Sequence, residues 1–204
     1  MLRLTRWIGV LGIVAISSGC GKDDNNDKPK LFDLTYSIQE NEGLELAAAS
    51  VSGTGKVAFE AGLAPSSESS RNLTFELSLE DGGRLDVISF ADAQLNNGLV
   101  VSLSRTGSVV TLTAEGAEGA KLIPLELTDA AAPFVFSVDI HNQENATQSH
   151  VLAWLNSKEA PVEESAYLLN DEEIVAGKGT FLALGLTKAK VEKLELSDAK
   201  STLE

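Results

Sequence analysis

Leu73-Thr74-Phe75-Glu76-Leu77-Ser78-Leu79-Glu80 carries an apolar side chain at every odd position and a polar one at every even position. Successive side chains of an extended chain point to opposite faces, so this octet reads as a strand with one buried and one wet face. Asp81-Gly82 follows, a dipeptide that tolerates positive φ and is a strong hairpin signal. Arg84 to Phe90 resumes as the next strand. The same alternation runs outward in both directions. Upstream it appears in Leu31 to Ile38 and Gly55 to Ala61. Downstream, beyond a polar loop ending in Asn96-Asn97-Gly98, it returns in Leu99 to Arg105 and Ser108 to Glu115, which flank a tight turn at Thr106-Gly107. Lys121 to Leu127, Pro133 to His141, His150 to Asn156, Gly179 to Leu186 and Val191 to Ser197 continue it. Glu163 to Ala176 is ambiguous between a short helix and a loop with a brief strand.

About a dozen short strands, with turn signals roughly every ten residues, predict an all-β fold: an antiparallel β-sandwich or a barrel. No period of about 20–50 residues repeats, which argues against a propeller or solenoid.

The first 19 residues follow another logic. Met1 to Arg6 holds Arg3 and Arg6 and no acid, Trp7 to Ile16 is almost wholly apolar, and Ser18-Gly19 are small. That is the order of a secretory signal. The apolar run is too short to span a bilayer, which needs roughly 20 residues. Cys20, the single cysteine, follows directly. Residues 20–30 then read as a solvated polar tether closed by Pro29, and residues 31–204 as one domain.

Composition excludes several function classes. The chain of 204 residues has 16 basic and 30 acidic side chains, a net charge of −14. Loss of Arg3 and Arg6 with the signal would make it −16. Such a chain has no excess of Lys or Arg to replace phosphate counterions, so no nucleic acid partner is expected. The same charge opposes non-specific docking on anionic lipid. With one cysteine, disulfides, iron–sulfur clusters and thiolate zinc sites are not expected.

Two resemblances enter here. Ile16-Ser17-Ser18-Gly19-Cys20 resembles the lipobox of bacterial lipoproteins, although Ser17 stands where the family usually has Leu. The resemblance implies cleavage before Cys20 and acylation of its sulfur and amine. The alternatives are an ordinary cleaved signal with a chance cysteine, or an uncleaved membrane anchor. Each buried methylene contributes about 0.8 kcal/mol, and two or more acyl chains anchor stably. Gly21 after the cysteine, by resemblance to Gram-negative lipoproteins, implies the outer membrane rather than the inner one. Lys22-Asp23-Asp24 also looks like the export tag of surface lipoproteins in some Bacteroidota. The periplasmic or surface orientation stays open.

The order of strands over roughly residues 31–200 resembles the concanavalin A-like and laminin G-like jelly roll. The likeness rests on the meander from Leu73 to Ala114, the paired segments Phe134 to His141 and His150 to Asn156, and the closing passage from Gly177-Lys178-Gly179 to Ser197-Asp198. It implies a last strand beside the first. It also implies a lectin, a glycan hydrolase, an adhesion module or a domain with no known ligand, because fold alone does not fix function.

A glycan hydrolase on this fold would need paired carboxylates, which the jelly-roll hydrolases carry on one strand as Glu-x-Asp-x-Glu, and no strand here has that pattern. Glu40, Glu42 and Glu45 come closest, in an expected turn interrupted by Gly43. No serine sits in a Gly-x-Ser-x-Gly elbow. No catalytic role is therefore expected. Phe134, Phe136, Val138 and Ile140 should face the core with Val151, Ala153 and Leu155, sending Ser137, Asp139, His141, His150, Leu152, Trp154 and Asn156 outward. If His141 opposes His150, Asp139 opposes Leu152 and Ser137 opposes Trp154. Asp139, His141, His150, Trp154 and Asn156 form the expected ligand face, a sugar or peptide platform unless a loop covers Trp154. No metal site is expected. Two His and a carboxylate, His141, His150 and Asp139, can bind zinc, but such a hairpin pair is more often a cross-strand contact; calcium could sit at Asp92, Asn96 and Asn97, or at Asp139, Asn142 and Asn145. The reading is a membrane-anchored recognition module for glycan or envelope protein; its alternative is a structural subunit of an envelope assembly.

Overall fold

The computed structural model describes residues 28–59, 70–116, 119–126, 132–142, 149–163, 167–174, 177 and 179–197. The signal segment and Cys20 lie outside the described residues. Twelve strands form among them: β1 (Lys30–Leu31), β2 (Leu34–Asn41), β3 (Glu45–Ala47), β4 (Ser50–Phe59), β5 (Ser70–Ala91), β6 (Leu99–Thr106), β7 (Val109–Gly116), β8 (Gly119–Glu126), β9 (Phe134–Asn142), β10 (Ser149–Leu155), β11 (Leu169–Ile174) and β12 (Phe181–Ser197). The ambiguous stretch thus contains a brief strand, β11.

The strands run in the order β1-β2-β4-β12-β5-β6-β7-β8; β3 joins β4, β9 joins β5, β10 joins β9 and β11 joins β10. Every pairing is antiparallel. Two long strands make this a sandwich. The first half of β5 lies between β9 and the end of β12, and its second half between β6 and the start of β12. Both layers therefore share β5 and β12. β12 lies between β4 and β5, so β1 and β2 stand further out than a last strand beside the first would place them.

The bend corrects the expected hairpin at Asp81-Gly82. Leu79 faces Ala189 and Arg84 faces Thr187, so four residues of β5 oppose Lys188 alone. Gly82 has φ 72°, the left-handed conformation its sequence invites. The chain nevertheless continues forward. β12 pairs with both sides of the bulge, and the ladder along a 17-residue partner outweighs a local reversal signal. The turn between β6 and β7 holds the bulge: the Gly107 N–H donates to Asp81 Oδ1 at 2.7 Å, and Arg105 Nη1 to the Leu79 carbonyl at 2.7 Å.

The core lies between the layers. Leu73, Phe75, Leu77 and Leu79 face inward, as the octet's alternation requires, and Leu85 and Val87 continue the phase beyond the bulge. Phe134, Phe136, Val138, Ile140, Val151 and Ala153 join them, with Leu155 packed against the edge. Phe75 and Phe136 are cross-strand partners whose rings stack at 6.2 Å, and burying such a ring contributes about 1.5–3 kcal/mol.

Candidate functional site: one closed face and one open face

On β9 and β10 the register is the expected one. His141 opposes His150, Asp139 opposes Leu152 and Ser137 opposes Trp154. Asp139, Leu152 and Trp154 lie outside the main core cluster, yet all three are fully buried. This corrects the expectation of an open platform. The chain after β10 returns across the outward face and seals it. Trp154 is 0% exposed, its Nε1 donates to the Ser157 carbonyl at 3.0 Å, and Tyr167 packs edge-on against it at 5.7 Å. Ser137 Oγ donates to the same carbonyl at 2.9 Å and stands 3.2 Å from Thr74 Oγ1. Asn156 is exposed, at φ 62°, where the returning segment leaves the strand. His150 is half-buried. The side chain of His141 lies outside the described residues.

Two anchors hold the covering segment. Tyr167 Oη donates to the Pro161 carbonyl at 2.7 Å. Its phenol is pushed up from its ordinary value, first by burial and then by the charge of Asp139. Further along, Lys158 Nζ reaches Glu195 at 3.2 Å and Glu76 at 3.7 Å. Lys193 also pairs with Glu195. The bond from Lys193 is the main reason that Glu195 titrates below its ordinary value, and the same bond raises Lys193.

The other layer presents a different outer face. Glu40 opposes Lys56, Lys56 opposes Gly185, Gly185 opposes Asp86 and Asp86 opposes Ser102, a transverse row across β2, β4, β12, β5 and β6. With no side chain at Gly185 the row has a gap, a cleft of about 230 Å³ lined by Glu40, Thr54, Lys56, Asp86 and Thr187, smaller than a second cleft of about 410 Å³. The larger cleft sits by the bend, around Gly53, Ser78, Lys188 and Lys190.

Asp86 is held firmly. Its Oδ1 accepts from Arg84 Nε at 2.7 Å and from Ser102 Oγ at 2.5 Å, while Arg84 Nη2 donates to Ser102 Oγ at 3.0 Å. Its Oδ2 lies 3.4 Å from the point where a Cβ on Gly185 would sit. On the opposite wall Lys56 Nζ pairs with Glu40 at 2.8 Å. Sequence reasoning missed this row. The available signal was a glycine on the outward phase of an otherwise apolar strand, which marks a close approach or a gap.

Among the described residues, no three His, Cys, Asp or Glu side chains gather as a metal site. Asp92, considered for calcium with Asn96 and Asn97, shapes its own loop: Oδ1 accepts from the N–H groups of Gln94 and Asn96, and Oδ2 from Asn97 Nδ2. In the second set, Asp139 is buried, and Asn145 lies outside the described residues.

No family profile matches the sequence, and no curated protein matches it. Solved structures do. The chain is similar to the carbohydrate binding module CBM66 from Bacillus subtilis, at 11% identity over 79% of this chain and 94% of that one, with a TM-score of 0.53. It is similar to the Bacillus licheniformis β-glucanase, at 6% identity over 80% and 92%, with a TM-score of 0.53. It is also similar to the Emp47p carbohydrate recognition domain, at 10% identity over 88% and 100%, with a TM-score of 0.50. At these identities the likeness is one of architecture, and the architecture is the concanavalin A-like jelly roll.

Proposed function

We propose that this chain is a glycan-recognition module, held at the cell envelope by an acylated Cys20. The observation that carries the reading is the fold shared with a carbohydrate binding module over 94% of that module's length. This is an argument by architecture, and the open polar face supplies its local support. Our reading is recognition rather than hydrolysis, and the spacing of Glu40 and Asp86 supports it. On the open face, Glu40 and Asp86 stand three strands apart, about 14 Å between backbones. Inverting glycosidases place their carboxyl groups about 6.5–9.5 Å apart, and retaining enzymes closer still.

The test is a glycan array probed with the full-length protein in a zwitterionic detergent. Retention of a defined set of glycans, without release of reducing ends on incubation, is the expected result. Silence across the array from folded protein would end the reading, and released sugars would turn it toward an enzyme. The anchor is tested separately. Cys20→Ser should move the protein from the membrane to the soluble fraction; variant protein that stays on membranes through a high-salt wash would overturn the lipid anchor.

A further inference from the structure

We infer that the trough over Gly185 is the saccharide subsite, accepting one neutral sugar unit with Asp86 Oδ2 as its fixed acceptor. The inference rests on the glycan reading above and assigns it a place. Three observations converge there. The first is the gap itself. Gly185 has no unusual φ, so no backbone conformation demands glycine at this position. The three atoms nearest to a Cβ placed there all belong to the Asp86 side chain, the first at 3.3 Å. The missing side chain leaves a narrow gap between two polar walls, at whose base Gly185 itself is buried.

The second is the state of Asp86. Arg84 and Ser102 fix one carboxylate oxygen, and among the described residues the other has no hydrogen-bond partner. A carboxylate held on one side offers its second oxygen to a ligand without losing rotamer freedom on binding. Lys56 on the facing wall supplies donors, and the hydroxyls of Thr54 and Thr187 supply both donors and acceptors. Adjacent hydroxyls of a sugar ring, each both donor and acceptor, match that mixture.

The third is charge. Lys56 is already paired with Glu40, and Arg84 with Asp86, so neither cation is left for an anionic group. Glu42 adds a further acid to the lining. A uronate or a phosphate would meet net negative charge. The volume, about 230 Å³, lies below the roughly 300–1,000 Å³ of pockets for drug-sized ligands, so it suits a single ring.

The experiment uses cellotetraose and laminaritetraose as neutral probes and tri-galacturonate as the anionic one, read by saturation-transfer NMR and titration calorimetry on the full-length protein. Binding of a neutral probe, weakened roughly tenfold or more in Gly185→Val and in Asp86→Asn, is the expected result. Valine suits a strand and fills the gap. Asp86→Asn keeps the volume, and serves if the valine variant does not fold. Neutral probes bound equally well by the folded variants would overturn the subsite and leave the glycan reading standing. Binding of tri-galacturonate alone would overturn the neutral assignment. If none of the three binds while the array retains other glycans, the inference fails without the broader reading; if the array is silent too, both fail.

Discussion

The outer faces of the two layers began, in the alternation, as the same kind of surface. One runs over β9 and β10, the other over β4, β12 and β5. Both are the outward phase of strands whose other phase fills a common core, and each carries apolar as well as polar side chains: Leu152 and Trp154 on the first, Ala58, Ala183 and Ile88 on the second. The chain then treats them differently. Ser157 and Tyr167, beyond β10, fold back over the first and close on Trp154 and Ser137. Beside Gly185 the second stays open, with a cleft where a side chain is missing. Pointing away from the core is a local property, set by period two. Being wet is a tertiary property, set by where later chain returns.

The sharpest break of this comparison is Trp154→Ala. If the β9–β10 face is a second small core, removing the indole should cost about 3–5 kcal/mol, read by urea denaturation. The equivalent cut on the open face, Asp86→Asn, removes a half-exposed ion pair and should cost about 1 kcal/mol or less. Trp154 emission should be blue-shifted and resist acrylamide, measured with Trp7 replaced so that one indole remains. Similar losses in the two variants would erase the distinction between the faces.

A smaller change sharpens it. Tyr167→Phe keeps the edge-on ring beside Trp154 and deletes the hydrogen bond to the Pro161 carbonyl. The expected loss is about 0.5–1.5 kcal/mol. The pH dependence carries a sign. Because the folded state raises the Tyr167 pKa above its ordinary value, its contribution is fully present below about pH 10 and is lost as pH rises through the higher folded value. The wild type should therefore lose stability in alkali, and Tyr167→Phe should lose less over the same range. Identical alkaline curves would show that Tyr167 is not shielded in the way its position requires.

Much of the fold was legible because burial imposes alternation strand by strand. The register that pairs His141 with His150, a condition in the sequence, is the one that forms. Two things were hidden. The bulge at Glu80–Gly83 has the local chemistry of a hairpin, and only β12, a 17-residue strand far along the chain, pairs across it and keeps β5 continuous. The cover over Trp154 was hidden because Ser157 and Tyr167 carry no periodic signal; they act through a backbone carbonyl and a ring edge. The open trough left one mark in the sequence, Gly185 on an outward phase, but its partners Asp86, Ser102 and Lys56 come together only through the order of β4, β12, β5 and β6.

The weakest grip on the closed face is Lys158, and it sets the smallest expected effect. Its side chain and those of Glu76 and Glu195 are each more than a third exposed, so solvent screens the attraction, and Lys158→Ala should cost only about 0.2–1 kcal/mol. The consequence is local. Residues 156–163 should exchange their amides faster, while β9 and β10 keep their protection. Acid should act in the same direction. The folded state lowers the Glu195 pKa, so its contribution is present above the ordinary carboxylate value and disappears as pH falls through the lower folded one. Salt should mimic both, because exposed pairs weaken as the screening length shortens. Hydrogen exchange at neutral and acid pH, with and without salt, measures this directly. If residues 156–163 exchange no faster in the variant, at low pH or in salt, then burial of Trp154 and Tyr167 alone holds the cover in place, and the ion pairs at its rim contribute nothing to closing this face.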